Sequence, residues 1–240
     1  MSSRLRGRVA LVTGATRGIG LATSRALAAE GARVAMLARS AEALRSHAAE
    51  IGENAMAFPC DITDARALER ALSDVHRAFG EPGVLVNNAG IFEPRPIAEL
   101  SPDDFARAVN VNLVAAFALV HALLPAMRAA GQGHIVTIGS VADRTAFPGN
   151  GAYAASKFGL RARHEVMRTE LRGSGVRASL ISPGPTDTPI WDQVERGPSA
   201  PRSFPQRSEM IQPESVAAAV VYALTQPAEV NIDELRLSRA

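Results

Sequence analysis

Short, uninterrupted apolar runs alternate along this chain with longer stretches in which apolar positions recur at helical spacing. The first kind predicts strands covered on both faces, the second amphipathic helices. Their order is that of repeated β-α-β units feeding a parallel sheet. Strands are expected over residues 8–13, 33–38, 55–59, 84–87, 134–139, 177–181 and 234–237. Helices are expected over residues 18–30, 41–51, 64–79, 102–130, 152–172 and 213–224. Ser101 three residues before Asp104, with Pro102 at the first turn, marks one helix start. The stretch 188–212 fits neither pattern; it is proline-rich and carries the only tryptophan, Trp191. The expected architecture is α/β, a three-layer, doubly wound, seven-stranded parallel sheet. It forms one domain over residues 1–240, with 188–212 as an insert.

Composition narrows the class. With 240 residues and 47% hydrophobic content, the chain can bury one sizeable core. No apolar run approaches the roughly 20 residues that span a bilayer. The basic N-terminus leads into a strand and lacks the apolar stretch of a secretory signal. The single Cys60 has no disulfide partner in the chain and reads as a small buried apolar residue. A cytoplasmic protein with no membrane partner is the expectation. The net charge is +2 and the arginines are scattered, so no nucleic-acid partner is expected. Lys157 is the only lysine among 26 basic residues, and the 5 histidines show no metal-ligand spacing.

The first strand runs into Thr13-Gly14-Ala15-Thr16-Arg17-Gly18-Ile19-Gly20, and a helix follows at once. Glycines there permit a tight turn and close approach of a phosphate, while the helix start offers unpaired N–H groups to the anion. The spacing Gly-x3-Gly-x-Gly departs from the general G-x-G-x-x-G fingerprint, and tight turns alone also call for glycine. Its place at the first strand–helix junction favours dinucleotide binding by Gly14, Thr16, Arg17, Gly18, Ile19 and Gly20. The second strand ends in Ala38-Arg39-Ser40, with no carboxylate for an adenosine ribose. Arg17 and Arg39 can clamp a 2′-phosphate, with Ser40 beside them, which favours NADP(H) over NAD(H); two merely solvated arginines are the plain alternative. Asp61, followed by Ile62, can accept from an adenine amino group or cap the helix starting near residue 64. Asn88, Ala89 and Gly90 suit a backbone lying against ribose and ring, or a plain turn.

Ser140 closes a strand at the carboxyl edge, where ligands bind in such sheets. Tyr153 and Lys157 follow, four residues apart and so on one helix face. A phenol, with an ordinary pKa of about 10, is a poor proton shuttle near neutrality. A nearby ammonium and the positive charge of an oxidised cofactor are expected to lower it. Lys157 supplies a compact charge that also reaches ribose hydroxyls, which arginine does less well. Any amphipathic helix can pair Tyr with Lys, so the pair by itself leaves both readings open.

Together, residues 13–20, 87–90, Ser140, 153–157 and Pro183-Gly184 resemble the classical short-chain dehydrogenases/reductases, over about residues 7–237. The resemblance implies a Rossmann sheet of order 3-2-1-4-5-6-7 and hydride transfer between a nicotinamide and a substrate carbon. It implies Tyr153 as acid in reduction and base in oxidation, with Ser140 holding the carbonyl oxygen. Lys157 would tune the tyrosine and bind the nicotinamide ribose. Asn112 is similar to the family asparagine that bends the long helix and supports a proton-relay water; Asn110 is expected to point elsewhere. Pro183, Gly184, Thr186 and Thr188 are expected near the nicotinamide amide and phosphate, where Pro185 removes one N–H. The C-terminus lacks the Asp-Gly-Gly pattern of many members, which brings the chain nearer the 3-hydroxy acid dehydrogenases and carbonyl reductases than the 3-oxoacyl thioester reductases. A homodimer or homotetramer is implied, which apolar faces on helices 102–130 and 152–172 would serve.

The expected function is thus NADP(H)-dependent interconversion of a small carbonyl compound and its alcohol. The insert, with Trp191 and Phe204, either covers the substrate or forms a surface loop. A non-catalytic NADP(H)-sensing regulator would need the glycine loop but not Ser140, Tyr153 and Lys157 together. An epimerase or dehydratase on the same fold would use other chemistry.

Overall fold

The computed structural model describes residues 4–192, 194 and 205–240. Its strands are β1 (Val9–Thr13), β2 (Arg33–Ala38), β3 (Ala55–Pro59), β4 (Val84–Asn87), β5 (Gly133–Ile138), β6 (Val176–Pro183) and β7 (Glu234–Leu237). They form one parallel sheet in the order β3-β2-β1-β4-β5-β6-β7, as the family resemblance implies. The flanking helices are α1 (Gly18–Ala29), α2 (Ala41–Ile51), α3 (Ala65–Phe79), α4 (Pro102–Val109), α5 (Ala115–Ala129), α6 (Gly151–Glu170) and α7 (Pro213–Leu224).

Alternate side chains of one strand feed opposite faces of the sheet. From β1, Ala10 and Val12 join a core with Leu27 of α1, Leu44 of α2 and Val220 of α7. Val9 and Leu11 join the other core, with Val75 of α3, Leu119 of α5 and Met167 of α6. Both faces are therefore apolar, which is why the strand shows no polar alternation.

Helix starts follow their caps. The Asp64 carboxylate accepts from the N–H groups of Arg66 and Ala67 at 2.9 and 3.0 Å, so α3 begins at Ala65. Asp61 does not cap that helix. Its Oδ1 accepts instead from the Thr63 N–H at 2.9 Å and the Thr63 hydroxyl at 2.7 Å. Ser101 caps α4 as predicted, accepting from the Asp104 N–H at 3.1 Å.

The helix expected over 102–130 is not one regular element. A π turn, Asn110–Val114, separates α4 from α5. Its inserted residue leaves the apolar pattern almost unbroken, so periodicity alone does not reveal it. Over 102–129 the composite helix is long and apolar enough to cross a bilayer, with mean hydropathy 1.8 in an 18-residue window. This corrects the expectation that no apolar run approaches that length. Leu119, Val120, Leu123 and Met127 pack the helix onto the sheet, and a core helix shares the composition of a spanning one.

Because every strand is parallel, their carboxyl ends and the loops after them converge on one edge. The insert contributes two 3-10 turns there, Pro189–Trp191 and Arg207–Glu209, and an isolated bridge between Thr186 and Ile211 draws its two ends together. Phe204 lies outside the described residues.

Candidate active site

A cleft of about 1060 Å³ runs along the carboxyl edge. Every residue assigned to the site from sequence lines it except Gly20 and Asn112.

At one end lies the glycine loop. Gly14 and Gly18 have φ of +66° and +52°, where side chains are strained. A Cβ on Gly20 would sit 2.2 Å from the Gly14 carbonyl oxygen, so Gly20 acts from beneath, letting α1 press against the turn. Arg17, the N-cap of α1, is extended and makes no capping hydrogen bond, and the first turn holds no acidic residue. The helix start is therefore left to an anion in the cleft, and the cradle fits a pyrophosphate. Thr188 leans over the same loop, since a Cβ on Gly18 would meet its methyl at 2.8 Å.

Arg17 and Arg39 are exposed on the wall of this end, beside Ser40, Asp61 and Ile62. The Thr63 hydrogen bonds, helped by the charge of Arg39, hold the Asp61 carboxyl below its usual range. Asn88 is more structural than the sequence suggested. Its amide donates to the carbonyls of Thr13 at 2.8 Å and Gly14 at 3.4 Å, lacing β4 to β1. The Thr13 hydroxyl oxygen in turn accepts from the N–H groups of Asn88 and Ala89, both at 3.0 Å.

At the other end Ser140, Tyr153 and Lys157 meet. Ser140 sits just past β5, and its hydroxyl oxygen accepts from the Ala142 N–H at 3.1 Å. Tyr153 and Lys157 share a face of α6, with Lys157 Nζ 5.6 Å from the phenol ring centre. That ammonium donates to the Ile138 carbonyl at 2.9 Å. Burial pulls Lys157 down to about 8, against the charge of Asp143, which raises it. Burial likewise pushes the Tyr153 phenol up to about 12; a side-chain hydrogen bond with Ser140 lowers it and Asp143 raises it. Lys157 is not among the groups that shift the phenol here; the expected lowering also calls on the positive charge of a bound oxidised cofactor. Desolvation outweighs every nearby group, and the contact that lowers the phenol comes from Ser140. Tyr153 is only half-buried by surface area, which leaves its proton in contact with the cleft.

Asn112 sits at the bend expected of it, inside the π turn. It is 1% exposed, with both ends of its amide on Ile91: the Ile91 N–H donates to Oδ1 at 2.8 Å, and Nδ2 donates to the Ile91 carbonyl at 3.0 Å. Nδ2 also reaches the Ser156 hydroxyl at 3.0 Å. It lies inside the π turn, so the expected irregularity in the helix is present, but the side chain supports the cleft from behind. Asn110, expected to point elsewhere, lines the cleft. The extra residue of the π turn re-aims both side chains.

Three features complete this end; Phe92 and Asp143 carry no mark in the sequence reading, whereas Trp191 is expected there with the insert. Phe92 packs edge-on against both Tyr153, at 4.8 Å between ring centres, and Trp191, at 5.4 Å. Trp191 is held by its indole N–H, which donates to the Thr186 carbonyl at 2.9 Å. Asp143, buried behind Ser140, is the third; the Ser-x-x-Asp spacing read at Ser101 recurs at Ser140 and would have flagged it.

A family model described as short chain dehydrogenase matches residues 8–198. A glycine betaine reductase of Emericella nidulans is 35% identical over 96% of this chain, which spans only 18% of that much longer protein. A D-threitol dehydrogenase of Mycolicibacterium smegmatis is 36% identical over 94% of this chain and 88% of its own length. Among solved structures, a metagenomic short-chain oxidoreductase in complex with NADP superposes with a TM-score of 0.84, at 34% identity over 99% of both chains.

Proposed function

Because this chain belongs to the short-chain dehydrogenase family, we propose that it interconverts a ketone or aldehyde and an alcohol by hydride transfer with NADP(H). The meeting of Ser140, Tyr153 and Lys157 at one end of a cleft whose other end is a glycine cradle carries this reading. When bound, the nicotinamide supplies or takes the hydride at the substrate carbon. Ser140 donates its hydroxyl proton in a hydrogen bond to the carbonyl oxygen and fixes its place. Tyr153, held protonated by burial, delivers its Oη proton to that oxygen as negative charge develops there. Lys157 places its ammonium beside the phenol and binds the nicotinamide ribose. Phe92 and Trp191 form an apolar wall that keeps water from the reacting oxygen. The working form of Lys157 is the charged one, so kcat/KM for reduction is expected to fall as pH rises through about 8, measured by NADPH oxidation from pH 6 to 10.

Arg17 and Arg39 support NADP(H) as the cofactor, and the structural relative crystallised with NADP accords with them. Arg39→Asp removes one guanidinium and adds a charge that repels a 2′-phosphate. It is expected to raise KM for NADPH about tenfold to a hundredfold, the scale of a charge-assisted hydrogen bond, and to lower KM for NADH. An unchanged preference would show that Arg39 does not face the 2′ position.

The substrate end favours a small carbonyl compound with an apolar substituent. The test is NADPH oxidation against a panel of cyclic and aromatic ketones, aldehydes, 3-oxo acids and 3-oxoacyl thioesters. NADPH binding without turnover on any of them would favour the sensing regulator instead. The reading includes a homodimer or homotetramer through α5 and α6, whose outer faces expose Phe117, Phe158 and Val166; light scattering measures it.

A further inference from the structure

The catalytic end of the cleft holds a buried carboxylate to which the mechanism above gives no part. Asp143 closes the 3-10 turn Val141–Asp143 that follows Ser140 and is 1% exposed. Its Oδ2 accepts from the Ser182 hydroxyl of β6 and from the Ser140 N–H at 3.4 Å. Its Oδ1 accepts from Arg144 Nε at 2.7 Å, and Arg144 continues to an ion pair with Glu234 of β7. The arrangement with Ser140 is reciprocal, because the Ser140 hydroxyl oxygen accepts from within the same turn. Gly139 makes room for it: a Cβ there would lie 2.7 Å from both Asp143 Oδ2 and Ser182 Oγ.

An ionised group this deep is destabilising unless its partners compensate, and here both oxygens are used as acceptors: Oδ1 by Arg144, Oδ2 by Ser182 and the Ser140 N–H, a set that a neutral amide, with one donor end, cannot reproduce. That set ties the carboxylate to the Ser140 turn and leaves its charge beside the catalytic end. The charged and titratable groups around it are Arg144 on its own turn, Lys157 and Tyr153 on α6, and Glu234 beyond Arg144. Resting on the function proposed above, we infer that Asp143 is a positioning residue of the catalytic site, whose carboxylate locks the Ser140 turn from behind and sets the electrostatic field at Lys157 and Tyr153. The direction agrees with its influence on both groups, each of which it favours in the protonated form.

Asp143→Asn keeps the shape and removes the charge. It is expected to lower kcat for reduction about tenfold with NADPH affinity unchanged, and to move the basic limb of kcat/KM about one pH unit lower. A loss of kcat with an unmoved limb would reduce Asp143 to a packing residue and overturn the inference. So would a variant matching the parent in both. A second measurement needs no turnover. The chain has 2 tyrosines, so Tyr222→Phe leaves Tyr153 as the only phenol. Ultraviolet absorbance after rapid pH jumps then reads its ionisation before the protein unfolds in alkali. Asp143→Asn in that background is expected to move the midpoint down from about 12, and an unmoved midpoint overturns the inference. A shifted midpoint in a protein that reduces no carbonyl would support the field of Asp143 while overturning the proposed activity.

Discussion

Tyr153→Phe is expected to lower carbonyl reduction about a thousandfold, within the range a positioned acid contributes, while NADPH affinity stays nearly intact. The substitution removes one oxygen and leaves the ring, which continues to pack edge-on against Phe92. The glycine cradle and the two arginines lie at the other end of the cleft and are untouched. No neighbour can take over. Lys157 is turned to the Ile138 carbonyl, and Ser140 is too weak an acid to deliver a proton. A thousandfold loss corresponds to about 4 kcal/mol of transition-state stabilisation. Steady-state kinetics with a fluorescence titration of NADPH separate the two effects. Near-parental turnover would remove Tyr153 from the chemistry.

Ser140→Ala is expected to lower kcat about a hundredfold, the scale seen when one donor to a developing oxyanion is lost. Two contacts disappear with the hydroxyl. One is the hydrogen bond that lowers the Tyr153 phenol, so the acid weakens further as its partner is lost. The other is the acceptor for the Ala142 N–H, worth about 1 kcal/mol of stability. A modest fall in Tm with a large fall in kcat marks a residue that acts on the substrate. A fall in Tm with kcat preserved would leave Ser140 as a cap of its turn.

Much of this site was legible because its signals are local. A glycine at positive φ, a serine at a strand end and a Tyr–Lys pair one turn apart each depend on a few neighbouring residues. So does the Asp64 cap, which could not be told from a capping role for Asp61 until the backbone around Thr63 was known. The resemblance places Asn112 at the bend of the helix, but its amide partners, Ile91 and Ser156, are set by the fold. One extra residue in the π turn rotates the helix beyond it, and the apolar pattern barely registers the change. The 188–212 insert offered no period, and its edges took form only where Thr186 bridges Ile211 and the Trp191 indole finds the Thr186 carbonyl.

Sequence alone determined the order of strands and helices, the doubly wound sheet and the residues that gather at its carboxyl edge. Periodicity encodes burial, and parallel strands bring their ends to one side. Tertiary structure decided the electrostatics. The phenol is raised, the ammonium is lowered, and a carboxylate 39 residues before Ser182 in sequence comes to touch it behind the catalytic serine. Desolvation and through-space charge depend on what surrounds a group in three dimensions, and no spacing along the chain specifies that.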